Sequence, residues 1–252
     1  MSIKKIIPCL DMKDCQVVKG IKFEGLKEIG DPLELALRYC DEGADEIAFL
    51  DISPSQKSRD FILDLLRKLR LKTNIPLCTG GGINELDYAK KLIDAGASKV
   101  SVCSAALKNP LLLSDMAKAF GSGSVMLAID AKRINNAWNA FSGGGRVDTG
   151  LDAVEWAKKG VELGAGEIML NSIDADGTGE GYDLELCSVI CNAVSVPVIA
   201  SGGAGSLEQI AEVLLKTSVS AALVASFLHY EKSTVKEIKN YLESKGISVK
   251  WL

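Results

Sequence analysis

The sequence predicts a (βα)8 barrel of the TIM-barrel class, built from two repeated (βα)4 half-barrels. Three observations predict it. Short apolar runs alternate with amphipathic stretches along the whole chain. The apolar runs lack a polar/apolar alternation, as strands buried on both faces of a parallel sheet do. The second half of the chain echoes the first. At 252 residues, the chain has the length of one such barrel. The expected organisation is a single barrel over 1–252, with half-barrels of about 1–122 and 123–252.

The elements follow in order. Strands are predicted at 5–10 (KIIPCL), 46–51 (EIAFLD), 75–79 (IPLCT) and 99–103 (KVSVC), then at 124–130 (SVMLAID), 167–171 (EIMLN), 196–200 (VPVIA) and 221–225 (AALVA). A helix is expected after each, near 31–42, 58–72, 84–95, 109–120, 151–163, 183–194, 206–216 and 233–245. Asp31-Pro32 and Asn109-Pro110 read as an N-cap followed by proline in the first turn. Gly43, Gly96, Gly121, Gly164 and Gly246 stand where a left-handed C-terminal residue is wanted. The internal echo decides against an open doubly wound sheet. IIPCLDMKD at 6–14 matches VMLAIDAKR at 125–133, which places Asp11 and Asp130 at equivalent strand ends 119 positions apart. IPLCTGGGI from 75 matches VPVIASGGA from 196, and KVSVCSA matches AALVASF.

Composition excludes several chemistries. Hydrophobic residues make up 47% and charged residues 25% of the chain, an ordinary globular balance. The net charge of −4 comes with no basic run to attract nucleic acid. The single histidine, His229, leaves no room for a histidine-rich metal site and reads as structural. The seven cysteines contain no Cys-x-x-Cys pair, so reduced thiols and no metal site are expected. No apolar run reaches 18 residues and no cleavable leader is evident, so a cytoplasmic protein with no membrane association is expected.

Chemistry on a βα barrel sits at the C-terminal ends of the strands. Asp11 and Asp130 end strands one and five, which face each other, and are the candidate acid/base pair. Asp51 and Asp176 are further acids at the same rim. Gly80-Gly81-Gly82 with Ser104, and Gly202-Gly203 with Ala225-Ser226, form two symmetric small-residue loops before helix N-termini, suited to phosphate. Two such sites predict a long substrate with a phosphate at each end and the aspartates between. Strand parity turns Lys5, Glu46, Lys99 and Glu167 toward the axis at the opposite end, either as an ionic plug or as a gate for a small molecule.

These residues sit within motifs that resemble the cyclase subunit of imidazole glycerol phosphate synthase. The motifs are IIPCLD at 6–11, VVKG at 17–20, GGGI at 80–83, AIDAKR at 128–133, DADGT at 174–178, GYD at 181–183 and IASGGAG at 199–205. The resemblance, running from residue 3 to about 250, implies the following. The enzyme joins ammonia to a bisphosphorylated ribulosyl-formimino aminoimidazole carboxamide ribonucleotide, releasing imidazole glycerol phosphate and an aminoimidazole carboxamide ribotide. Asp11 and Asp130 are its acid/base pair, and Lys19, on a mobile loop after strand one, closes over substrate. Gly82, Cys103, Ser104, Asn171, Asp176, Gly177, Ser201, Gly203, Ala225 and Ser226 bind substrate and its phosphates. A glutaminase subunit docks at the N-terminal face as the other half of a heterodimer, and its ammonia passes the Lys5/Glu46/Lys99/Glu167 ring. No cofactor is expected.

The chain departs from the family at Cys103, where asparagine is usual, at Ser98, where a docking aspartate is usual, and at Pro54, where alanine is common. Ser142-Gly143-Gly144-Gly145 reads as a flexible lid after strand five. Two alternatives share parts of this pattern: a sugar isomerase using the same two aspartates, and a non-cyclising paralogue that only delivers ammonia. The charged ring and the DADGT loop favour the cyclase.

Overall fold

A computed structural model describes the backbone of residues 3–21 and 24–251. In chain order the first half runs β1 (Lys5–Lys13), β2 (Gln16–Ile21), β3 (Glu24–Gly30), α1 (Pro32–Asp41), β4 (Ile47–Asp51), α2 (Gln56–Arg70), β5 (Leu77–Gly80), α3 (Leu86–Asp94), β6 (Lys99–Val102), α4 (Ser104–Lys108) and α5 (Leu111–Phe120). A 3₁₀ turn at Ser122–Ser124 leads to the second half. There follow β7 (Val125–Ile134), β8 (Ala137–Ser142), β9 (Val147–Asp152), α6 (Ala153–Glu162), β10 (Glu167–Ser172), α7 (Leu184–Ala193), β11 (Val198–Ser201), α8 (Leu207–Lys216), β12 (Ala221–Val224), α9 (Ser226–His229) and α10 (Val235–Ser244).

The parallel strands β1, β4, β5, β6, β7, β10, β11 and β12 pair in that order, and β12 pairs back onto β1, closing the barrel. Closure leaves the barrel itself no free edge. Alternate side chains of each strand point outward into the main core, where Tyr39, Phe49, Leu66 and Leu69 are fully buried between strands and helices. The other face fills the lumen with a second, smaller cluster that includes Ile7, Cys9, Ala48, Cys78, Met126 and Met169. Each fully buried aliphatic or aromatic side chain stabilises this packing by about 1.5–3 kcal/mol.

The repeat seen in sequence is also a repeat of backbone geometry. Asp31 before α1 (φ −69, ψ 128) and Asp152 before α6 (φ −61, ψ 128) each accept two backbone N–H bonds of the first helical turn. Cys103 (φ −121, ψ −94) and Ala225 (φ −121, ψ −90) enter the short helices α4 and α9 through the same unusual conformation. Each half also inserts an antiparallel ribbon after its first strand: β2–β3 on β1, and β8–β9 on β7.

Those ribbons correct two expectations. The segment carrying Lys19 is the paired strand β2, and the supposed lid after strand five is a hairpin whose tip is Gly143-Gly144-Gly145, all with positive φ. Long hydrogen-bonded ladders replace loops because Gln16–Ile21 and Ala137–Ser142 find partners only after their first strand overruns the barrel rim. Helix α6 accordingly starts at Ala153, two residues later than expected. Asn109 is not an N-cap: it closes α4, and α5 starts after Pro110 with no side-chain cap. Asp31-Pro32 caps α1 as expected. The glycines at 43, 96, 121, 164 and 246 all take positive φ at helix ends.

Candidate active site

The barrel order sets β1 and β7 four strands apart in either direction, so Asp11 and Asp130 face each other across the C-terminal mouth. Asp11 is buried, and its Oδ2 accepts a 2.6 Å ion-paired hydrogen bond from Lys19 Nζ. Burial alone would pull the Lys19 ammonium down, but Asp11 and then Asp176 outweigh it and lift it above the ordinary lysine value. Asp130 has a different environment. Burial pushes its carboxyl up, and nearby Asp176 and Asp11 add to that, against bonds from Asn171 and Cys103 that favour the ionised form. The Asn171 amide nitrogen lies 3.1 Å from Asp130 Oδ1, and the Cys103 thiol 3.7 Å from Oδ2. One carboxylate is thus held by a cation and the other is biased toward its neutral form. That division suits a pair that must accept a proton at one end and donate one at the other.

A single cleft of about 620 Å³, including its solvent-open mouth, joins the two aspartates. Lys19, Asn171, Asp176 and Ser201 supply its other polar groups, while Cys9, Leu50, Met169 and Leu223 form an apolar floor. Burial raises the Asp176 carboxyl, with Lys19 opposing. On the β11–β12 side the wall is Gly177, Gly202, Gly203, Ala225 and Ser226, next to the α9 N-terminus. Gly203 is held by a 2.9 Å bond from Gly181 N–H to its carbonyl, and a side chain on it would overlap the Gly181 carbonyl oxygen. That closeness leaves bare backbone facing the cleft.

The equivalent loops on the β5–β6 side lie outside the cleft lining. Gly82 turns with φ +63 against Pro54, and its carbonyl accepts a 2.8 Å bond from the Arg59 guanidinium. The Ser104 hydroxyl oxygen accepts from Gly143 N–H at 2.8 Å, so the β8–β9 tip lies over this loop. The Cys103 thiol points at Asp130 and the Phe141 carbonyl rather than along the loop. Asp51 accepts from Ser53 N–H and closes its own turn. Sequence reasoning missed Arg59 altogether. It stands one turn into α2 and reaches a carbonyl 23 residues away, and no spacing rule encodes such a contact.

At the opposite end, Lys99 bridges Glu46, at 2.8 Å, and Glu167. Burial would lower the Lys99 ammonium, but the two carboxylates raise it to about 12; burial likewise pushes Glu46 up, against Lys99. Lys5, the fourth expected member, takes no hydrogen bond in this group and acts on Glu46 only through its charge. Ser98 on this face accepts from Arg70 at 3.0 Å. All seven cysteines are free, and no group of three His, Cys, Asp or Glu side chains is placed to hold a metal among the described residues.

A closed parallel barrel with two carboxylates across its mouth defines the class: a (βα)8 enzyme of amino-acid biosynthesis, since residues 5–234 match the family described as Histidine biosynthesis protein. The chain is 52% identical over 252 residues to the imidazole glycerol phosphate synthase subunit HisF of Clostridium botulinum strain Okra, covering 99% of this chain and 100% of that one. It is 51% identical over 251 residues to the subunit of the same name from Bacillus cereus strain Q1, with the same coverage. The chain belongs to the HisF family.

Proposed function

We propose that the chain is the ammonia-dependent cyclase of imidazole glycerol phosphate synthesis, acting as one barrel of two half-barrels, 1–122 and 123–252. The observation that carries this reading is one cleft containing two opposed aspartates with different environments, Asp11 on a lysine and the half-buried Asp130 against neutral donors. The backbone walls around Gly203 and Gly82, at the two equivalent strand ends, hold the substrate's two phosphates.

In this reading Asp130 supplies a proton to the ribulosyl ketone oxygen as the ammonia nitrogen adds, and water leaves. The resulting imine nitrogen attacks the formimino carbon. The bond from that carbon to the carboxamide ribotide nitrogen breaks, its electron pair stays on the departing nitrogen, and that nitrogen takes a proton. Asp11, once Lys19 turns to substrate, removes the ring proton that leaves the imidazole aromatic. Lys19 is thereby both the partner of free Asp11 and the cation offered to the incoming substrate. Asn171, Asp176, Gly177, Ser201, Ala225 and Ser226 complete the wall, and Cys103 and Ser104 border the second phosphate loop.

Ammonia reaches the mouth through the lumen from a glutaminase subunit on the N-terminal face, past Lys5, Glu46, Lys99 and Glu167. Seven free cysteines fit work in the cytoplasm. Turnover of the formimino substrate with ammonium salt, followed by the appearance of imidazole glycerol phosphate, tests the reading. Asp11→Asn and Asp130→Asn are each expected to lose about 10²–10⁴-fold in kcat, and turnover within tenfold of the parent would refute the acid/base assignment. Addition of the glutaminase is expected to confer glutamine-dependent turnover, and charge reversal at Lys99 to reduce that rate more than the ammonium-driven one.

A further inference from the structure

Asn171 lines the cleft, yet both ends of its amide are already engaged. Its Nδ2 donates to Asp130 Oδ1 at 3.1 Å, and its Oδ1 accepts from the Ser201 hydroxyl at 3.2 Å. The pairing of β7 with β10 sets Asp130 directly beside Asn171, and the pairing of β10 with β11 sets Asn171 directly beside Ser201. Three neighbouring strands therefore present a hydroxyl, an amide and a carboxyl in one row across the mouth. A hydroxyl that donates to Oδ1 fixes which end of the amide faces Asp130. The amide N–H then occupies Oδ1, and Oδ2, whose one contact is the long 3.7 Å approach of the weakly donating Cys103 thiol, is the oxygen that carries a proton.

We propose that Asn171, held by Ser201, is a positioning residue that orients Asp130 and selects the oxygen from which it delivers its proton. This rests on the reading of Asp130 as the acid. The other groups facing Asp130 are the Cys103 thiol and the carboxylates of Asp176 and Asp11, the latter paired with Lys19. None of these donates an N–H to Oδ1. The direction of the effect follows: an N–H bond stabilises the ionised carboxyl, so removing it makes Asp130 hold its proton to higher pH. An acid works only while protonated, so the alkaline limb of the kcat profile moves upward.

The test is the pH dependence of ammonium-driven turnover in Asn171→Ala and Ser201→Ala. Asn171→Ala is expected to move the alkaline limb of kcat up by roughly half to one pH unit. It is also expected to lower kcat about tenfold, with KM within threefold of the parent. Ser201→Ala, a deletion of one oxygen, moves the limb the same way by less. Asn171→Asp, almost the same shape, sets a second carboxylate on Asp130 and moves the limb furthest. A limb that stays in place in all three variants, or a rise in KM with kcat kept, overturns the proposal and makes Asn171 a substrate contact. Failure of the underlying reading shows separately, as turnover retained by Asp130→Asn.

Discussion

His229 shows how a residue that could titrate near neutrality is prevented from doing so. Its Nε2 lies 2.9 Å from the Cys9 carbonyl, which can only accept, so Nε2 carries the proton and Nδ1 accepts from the Tyr39 hydroxyl at 2.7 Å. Burial pulls the ring down from 6.5 to about 4, against Asp11, which raises it. The unfolded chain therefore binds more protons between those values, and stability falls as pH drops from 6.5 to 4. The loss from this group is roughly 2–3 kcal/mol. Urea unfolding at several pH values should show a shallower acid decline in His229→Gln than in the parent. Equal slopes would show that the ring is already charged in the fold. The lone histidine and the strand-end aspartates were legible in the sequence, but the hydroxyl and carbonyl that set the protonation of His229 were not. They lie 190 and 220 residues from His229 and meet it only through the barrel.

At the scale of elements, local chemistry predicted some boundaries and missed others. Asp31 caps α1 because its carboxylate reaches two free N–H groups of the first turn, information contained within four residues. Its structural twin Asp152 was missed as a helix start, since β9 runs up to it and the long ribbon was read as a loop. Either Asp→Ala change should cost about 1 kcal/mol in thermal or urea unfolding, and a cost at one site only would contradict the equivalence of the two caps. The glycine loops were read as places where backbone could approach phosphate; in the fold Gly81 and Gly203 pack closely against the backbone of Asp51 and Gly181. Gly203→Ala forces a Cβ onto the Gly181 carbonyl at φ +104 and should raise KM at least tenfold while the protein still folds. An unchanged KM would remove this loop from the phosphate wall.

At the scale of the molecule, the barrel floor depends on closure. Lys99 from β6 meets Glu46, next to β4, and Glu167 of β10, with side chains from nonadjacent strands converging on the axis. Glu46 Oε1 has no hydrogen-bond partner among the described residues, and the Lys99 ammonium held at Oε2 offsets much of the cost of burying that carboxylate. Lys99→Met should destabilise the fold by about 3–5 kcal/mol, and adding Glu46→Gln should recover part of the loss. Recovery failing in the double variant would show that the ring stabilises through packing rather than charge. Lys239, fully buried, similarly ties α10 to Asp45 and to the Lys250 carbonyl at the same end.

The sequence by itself determined the number of βα units, their halving, and the opposition of Asp11 and Asp130. All of these follow from periodicity and internal repetition, which are written in residue order. Only the tertiary structure decided the partners of each aspartate, the paired ribbons that replaced two loops, the Arg59 hold on Gly82, and the row from Ser201 through Asn171 to Asp130. The physical reason is the same in each case. A hydrogen bond or ion pair between residues tens to hundreds of positions apart depends on strand register and barrel closure, and a one-residue shift of either would turn the side chain to the other face.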